Sequence, residues 1–194
     1  MIQELIQNRE IVLNRLEDKA ARLKDYAELQ KALHATNVSL DHPFQQTFRR
    51  YYTMGRARNG AAWFHTFFSL LEREKTNPNI NLSSVLTEFA EATRQIDLSF
   101  CSKLVATIRP ADMPVWDRNV RLRLGMGMVW GHNHEQRLHC AIRRYADLTQ
   151  RMNQEMAHPR FPELLDCFDQ RFRMFQHFTP LKKLDLLLWQ YPPA

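Results

Sequence analysis

From one end of the chain to the other, apolar residues recur three and four positions apart, and only five glycines interrupt 194 residues. That spacing keeps side chains on one face of an α-helix, whereas a half-buried strand alternates every second residue. No convincing alternating segment occurs. The scarcity of glycine also argues against a glycine-rich phosphate loop, a collagenous repeat and a turn-dense β-sandwich. The pattern predicts an all-α fold, a single helical domain over residues 1–194.

Residues 1–33 carry the longest uninterrupted stripe: Ile2, Leu5, Ile6, Val12, Leu13, Leu16, Ala20, Leu23 and Ala27, with Leu29 and Leu33 four apart but shifted in phase. No proline or glycine breaks it, so the segment predicts one long N-terminal helix. Such a stripe fits packing on its own domain and pairing with a second copy equally well, and oligomeric state stays open. Asp41-His42-Pro43 marks a new start, and residues 61–75 form a helix rich in aromatic residues (Trp63, Phe64, Phe67, Phe68). Asn81 or Ser83 can cap the next helix. Phe100, Leu104 and Ile108 then set the inward face of residues 99–109. A short helix over residues 118–124 stops at Gly125. Gly125-Met126-Gly127-Met128-Val129-Trp130-Gly131 is the one flexible apolar linker, a candidate division between two helical halves. Two further stripes follow, Leu138 to Met156 and Phe161 to Phe175, before a final helix over residues 181–189.

Charge narrows the partner. The chain has 27 basic against 21 acidic residues, and 20 of the 27 are arginine, the better bidentate ligand for phosphate. No acid stands between His42 and Leu71, where Arg49, Arg50, Arg56 and Arg58 interleave with Phe44, Phe48, Tyr51 and Tyr52. Arginines for phosphates and rings for bases make up a strand-binding surface. The same pattern also describes an amphipathic helix with its aromatics buried and its arginines solvated. No apolar run is long enough to span a membrane, and the first residues lack the apolar core of a secretory signal. Three widely spaced cysteines make a disulfide framework improbable and point to a reducing, cytoplasmic setting.

Chemistry concentrates in residues 99–121. Ser99, Lys103 and Thr107 share a helix face beside the apolar one, placing Lys103 at a core edge. Desolvation there lowers an amine's pKa and frees it for attack on carbon. Asp117, 14 residues on, precedes the inward positions Val120 and Leu124 and is a natural N-cap. A capped carboxylate stays ionised and fixed in direction, suited to stabilising a developing cation. The commoner roles of such residues are a solvated lysine and a plain cap.

Ser102-Lys103-Leu104-Val105 followed by Met113-Pro114-Val115-Trp116-Asp117-Arg118-Asn119-Val120 resembles the core of the helix-hairpin-helix DNA glycosylase superfamily, most closely its compact prokaryotic 8-oxoguanine branch. The resemblance covers roughly residues 82–125. It implies an all-α scaffold, Lys103 as Schiff-base nucleophile and Asp117 as catalytic aspartate. It further implies attack on the deoxyribose C1′ of a flipped damaged or modified nucleotide, and strand nicking by β-elimination. Ser99-Phe100-Cys101 stands where the family carries its hairpin glycines, and Trp116 is inserted before the aspartate. Within this reading Trp116, Arg118 and Arg121 contact the nucleotide or its phosphates, together with Arg49, Arg50, Arg56 and Arg58. Trp63, Tyr51 and Tyr52 are candidates for base stacking.

The expected partner is duplex DNA, with no organic cofactor because the lysine supplies the covalent chemistry. Two alternatives remain open: a non-catalytic nucleic-acid-binding protein on the same scaffold, and a helical oligomerisation or interaction protein. His132, His134, His139 and Cys140 lack a second cluster at a usual zinc spacing and predict no metal site. Lys182-Lys183 reads as a solvated pair near a helix start, with contact to phosphate as the alternative.

Overall fold

The computed structural model describes residues 1–54 and 60–191. Among them the chain forms eleven α-helices and no strand. In order these are α1 (Ile2–Gln7), α2 (Arg9–Glu17), α3 (Ala20–Leu33), α4 (His42–Tyr51), α5 (Ala61–Glu74), α6 (Leu82–Thr93), α7 (Leu98–Ile108), α8 (Arg118–Arg123), α9 (His134–Met156), α10 (Phe161–Arg171) and α11 (Pro180–Gln190). The fold class is all-α, as the periodicity requires. None of these helices is long and apolar enough to cross a membrane.

The long N-terminal helix is corrected to three short ones. α1 ends at Asn8, and α2 ends at Asp18 and Lys19, where Lys19 N–H turns back to the Leu16 carbonyl at 3.0 Å. The reason is tertiary. α1 packs on α10, α2 on α10 and α11, and α3 on α4. A straight rod cannot face all three. The stripe is buried within its own chain.

Helix starts follow local chemistry. Asp41, Asn81, Asp97, Asp117, Asn133 and Thr179 each accept a backbone N–H from the first turn of their helix. α8 stops in a Schellman turn: Gly125 takes φ +63°, Met126 N–H reaches the Arg121 carbonyl and Gly125 N–H the Leu122 carbonyl. At Gly131 a Cβ would lie 2.6 Å from the Arg137 nitrogen, so only glycine lets the loop lie against the start of α9.

α11 holds the centre. It packs on α2, α8, α9 and α10, and Leu181, Leu184, Leu186, Leu187 and Leu188 are all buried. A helix enclosed on all sides also buries its charges, which corrects the solvated reading of Lys182-Lys183. Lys182 is 5% and Lys183 4% exposed. Lys183 pairs with Asp169 at 2.6 Å, and Lys182 with Asp185, one turn on, at 2.8 Å.

Candidate functional site

Lys103 sits in the second turn of α7. Its Nζ donates to Ser99 Oγ at 3.0 Å and lies 4.6 Å from the centre of the Phe100 ring. Only 8% of the residue is exposed. Burial pulls the ammonium pKa below the usual lysine value, against the opposing pull of the Asp117, Asp97 and Asp185 carboxylates. The face inferred from spacing is real: Thr107 Oγ1 donates to the Lys103 carbonyl at 2.7 Å and pairs with the Tyr52 hydroxyl at 3.0 Å.

Asp117 is the N-cap of α8, accepting Asn119 N–H at 2.7 Å. The loop that delivers it is fixed at three points. Trp116 N–H donates to Ser102 Oγ at 2.9 Å, the Tyr145 hydroxyl to the Pro114 carbonyl at 3.0 Å, and the Thr179 hydroxyl to the Pro110 carbonyl at 2.6 Å. The first contact ties the residue before Asp117 to the residue before Lys103. The Ser102 hydroxyl in turn donates to the Ser99 carbonyl at 2.9 Å.

Lys103 and Asp117 line one cavity. Tyr51, Tyr52 and Thr53 at the end of α4 form one wall, and Lys182, Asp185, Leu186 and Trp189 of α11 another. The hollow encloses about 390 Å³ with its mouth, of which about 40 Å³ accepts the centre of a water molecule. That is room for a few waters, and a nucleobase enters only if a wall moves. Thr53 borders the mouth with φ +52°, a strained conformation for a β-branched residue.

The Lys182–Asp185 pair closes the cavity floor. Lys182 Nζ also lies 4.7 Å from the Tyr26 ring centre, 5.2 Å from that of Tyr51 and 5.9 Å from that of Tyr52. Burial alone would lower the Lys182 pKa. Asp185 and the surrounding hydroxyls overcome it and hold the ammonium above the ordinary lysine value. The site therefore holds two amines shifted in opposite directions: burial lowers the Lys103 pKa, and Asp185 raises that of Lys182.

The other sequence-predicted residues fall in several places. Trp116 is buried in the core beside Val115. Arg118 is exposed at the start of α8, whereas Arg121 donates to the Met126 carbonyl at 2.6 Å and braces the helix end. Arg49 lies over the Phe64 ring, and Arg50 makes a two-pronged contact with Asp25 at 2.9 and 2.7 Å. Arg56 and Arg58 lie outside the described residues. Trp63 is buried among Phe64, Phe67, Phe89 and Phe100, while Tyr51 and Tyr52 do reach the cavity. Among the described residues no group of three or more His, Cys, Asp or Glu side chains gathers as a metal site.

Sequence reasoning missed Lys182, Asp185 and Trp189. The signal was available: charges three apart inside Leu181-Lys182-Lys183-Leu184-Asp185-Leu186-Leu187-Leu188 interrupt a helix otherwise apolar all round, and such charges must pair. No protein-family model, curated protein or solved structure matches the chain.

Proposed function

We propose that this protein is a DNA glycosylase with associated β-lyase chemistry, acting on a damaged or modified base flipped out of a duplex. The observation that carries the reading is the convergence of a buried lysine, its pKa lowered by desolvation, and a capped carboxylate on one cavity. The neutral Lys103 amine forms a bond to the deoxyribose C1′ while the N-glycosidic bond breaks and the base leaves with its electron pair, taking up a proton. Asp117 stabilises the positive charge that develops on the sugar and accepts the proton lost by the amine. Ring opening gives the Schiff base. Loss of a C2′ proton then expels the 3′-phosphate, and water releases Lys103. Base entry displaces the wall formed by Thr53 and Trp189.

The test is borohydride trapping on duplexes carrying 8-oxoguanine, an abasic site, other modified bases or no lesion, with Lys103→Ala and Asp117→Asn alongside. A covalent adduct that depends on a modified base and on Lys103 is the expected result. The closed cavity favours one second reading, a non-catalytic DNA-binding protein on the same scaffold. Salt-sensitive binding with no adduct on any duplex would select it.

A further inference from the structure

A second hollow, enclosing about 810 Å³ with its mouth against about 390 Å³ for the first, shares Trp189 with the Lys103 cavity. The same two helices build both. α8 places Asp117 in the first and Asn119 and Arg123 in the second. α11 lines the first with Asp185 and the second with Gln190, and Trp189 belongs to both. The remaining wall comes from the α2–α3 junction, with Arg15 and Lys19. Lys19 and Arg22 lie over the Trp189 ring, 5.2 and 4.7 Å from its centre.

Charge here is unbalanced. Elsewhere Arg50, Arg73, Arg109, Arg160 and Arg171 each meet a carboxylate. Among the described residues Arg15, Lys19, Arg22 and Arg123 make no ion pair and settle for neutral oxygens. Arg15 donates to the Gln190 carbonyl at 3.5 Å, Lys19 to Gln190 Oε1 at 2.9 Å, Arg22 to the Tyr51 carbonyl at 3.5 Å, and Arg123 to the Tyr191 carbonyl at 3.3 Å. The C-terminal end of α11 explains part of this crowding, but a helix end carries only about half a negative charge. Asp18 is the one carboxylate lining the hollow. Burial, and after it the neighbouring Arg22 and Arg15, lower the Lys19 pKa against the opposing pull of Asp18. Gln190 is 4% exposed, and its Nε2 donor is buried without a partner among the described residues. Three cations, Arg15, Lys19 and Arg123, against the one carboxylate of Asp18 make this hollow complementary to an anion with several acceptor oxygens.

We propose that this hollow is a phosphate subsite, taking the backbone phosphate next to the nucleotide held at Lys103, with Trp189 common to both. The inference rests on the glycosylase reading for its choice of ligand. It assigns the N-terminal helices a task that the stripe of residues 1–33 did not suggest, which is to grip the strand beside the reactive sugar.

The experiment is anisotropy binding of a duplex carrying a tetrahydrofuran abasic analogue. Each phosphate around the analogue is replaced in turn by an uncharged methylphosphonate. With wild-type protein, one flanking position weakens binding roughly tenfold, and the slope of log K against log salt falls by about one, as for loss of a single phosphate contact. In the Arg15→Gln/Arg123→Gln protein the native duplex shows the same loss, and the methylphosphonate at that position adds nothing further. Arg22→Gln, which leaves the α11 carbonyl contacts intact, shows a smaller loss with the same position dependence. Because the scan on wild-type protein needs no variant, a folding defect cannot mask the result. Additive losses at every position, or no change in slope, overturn the proposal. So does binding of inorganic phosphate that depends on Arg15 and Arg123 while no methylphosphonate position couples to them. A Lys103-dependent adduct without phosphate coupling refutes the subsite alone. Coupling without an adduct refutes catalysis alone. A protein that binds no duplex refutes both.

Discussion

Replacing Lys182 with Met tests whether the floor of the cavity is the buried ion pair described. Lys182 and Asp185 are 5% and 7% exposed, and their charged atoms meet at 2.8 Å. Removing one partner of such a pair leaves the other charge without water or counter-ion, at a cost of about 3–5 kcal/mol. Met keeps much of the aliphatic stem and can place its sulfur against the Tyr26, Tyr51 and Tyr52 rings, so lost packing adds little. With a urea m value of about 2 kcal/mol per molar, the unfolding midpoint falls by roughly 1.5–2.5 M. Lys182→Met/Asp185→Leu removes both charges at once, and its midpoint returns to within about 0.5 M of wild type, because a well-packed apolar pair often matches a buried ionic one. Equilibrium urea unfolding followed by tryptophan fluorescence and far-UV circular dichroism reads both numbers. A single-variant shift below about 0.5 M would mean that water reaches the pair. A double variant as unstable as Lys182→Met would mean that the tyrosine cage around the ammonium, and not the charge pair, holds this region.

Three further expectations follow from the site. Lys103 has a folded pKa below its unfolded value of 10.5, so burial of its charge costs stability in full below the folded pKa, and the cost fades as pH rises to 10.5. Lys103→Met is therefore more stable than wild type at neutral pH by a margin that shrinks across that window; a margin independent of pH refutes the burial of a charged form. Ser102→Ala leaves the buried Trp116 N–H without its acceptor and costs about 1–3 kcal/mol in urea unfolding. It also loosens the link between Asp117 and Lys103, so trapping slows by more than the stability loss alone explains. Thr53→Asn relieves a β-branched residue at φ +52° and raises stability by roughly 0.5–1 kcal/mol, read as a small rise in thermal midpoint; an unchanged or lower midpoint argues against strain at the cavity mouth.

The sequence by itself determined the all-helical class and several helix ends. Periodicity of three and four, the Asp and Asn residues ahead of α4, α6, α7, α8 and α9 and Gly125 at a helix end are local signals, because a helix closes its hydrogen bonds within four residues. Lys103 on a core edge and Asp117 as a cap were legible for the same reason: each depends on neighbours one turn away. The breaks at Asn8 and Asp18 were not legible, since nothing within residues 1–33 forbids a straight helix and only the separate positions of α10, α11 and α4 require the bends. Nor could local pattern say that Trp116 and Trp63 are core while Tyr51, Tyr52 and Trp189 face a cavity, because an aromatic residue on an apolar face looks the same in either place. Lys182 and Asp185 turned from apparent surface charges into a cavity floor because α11 is enclosed by four other helices. Burial is set by what packs around a residue, and most of what packs around α11 lies far from it in the chain. The hollow of Arg15, Lys19 and Arg123 is the same case: residues more than a hundred positions apart in sequence, gathered at the end of one helix by the packing of α2 and α8 against it.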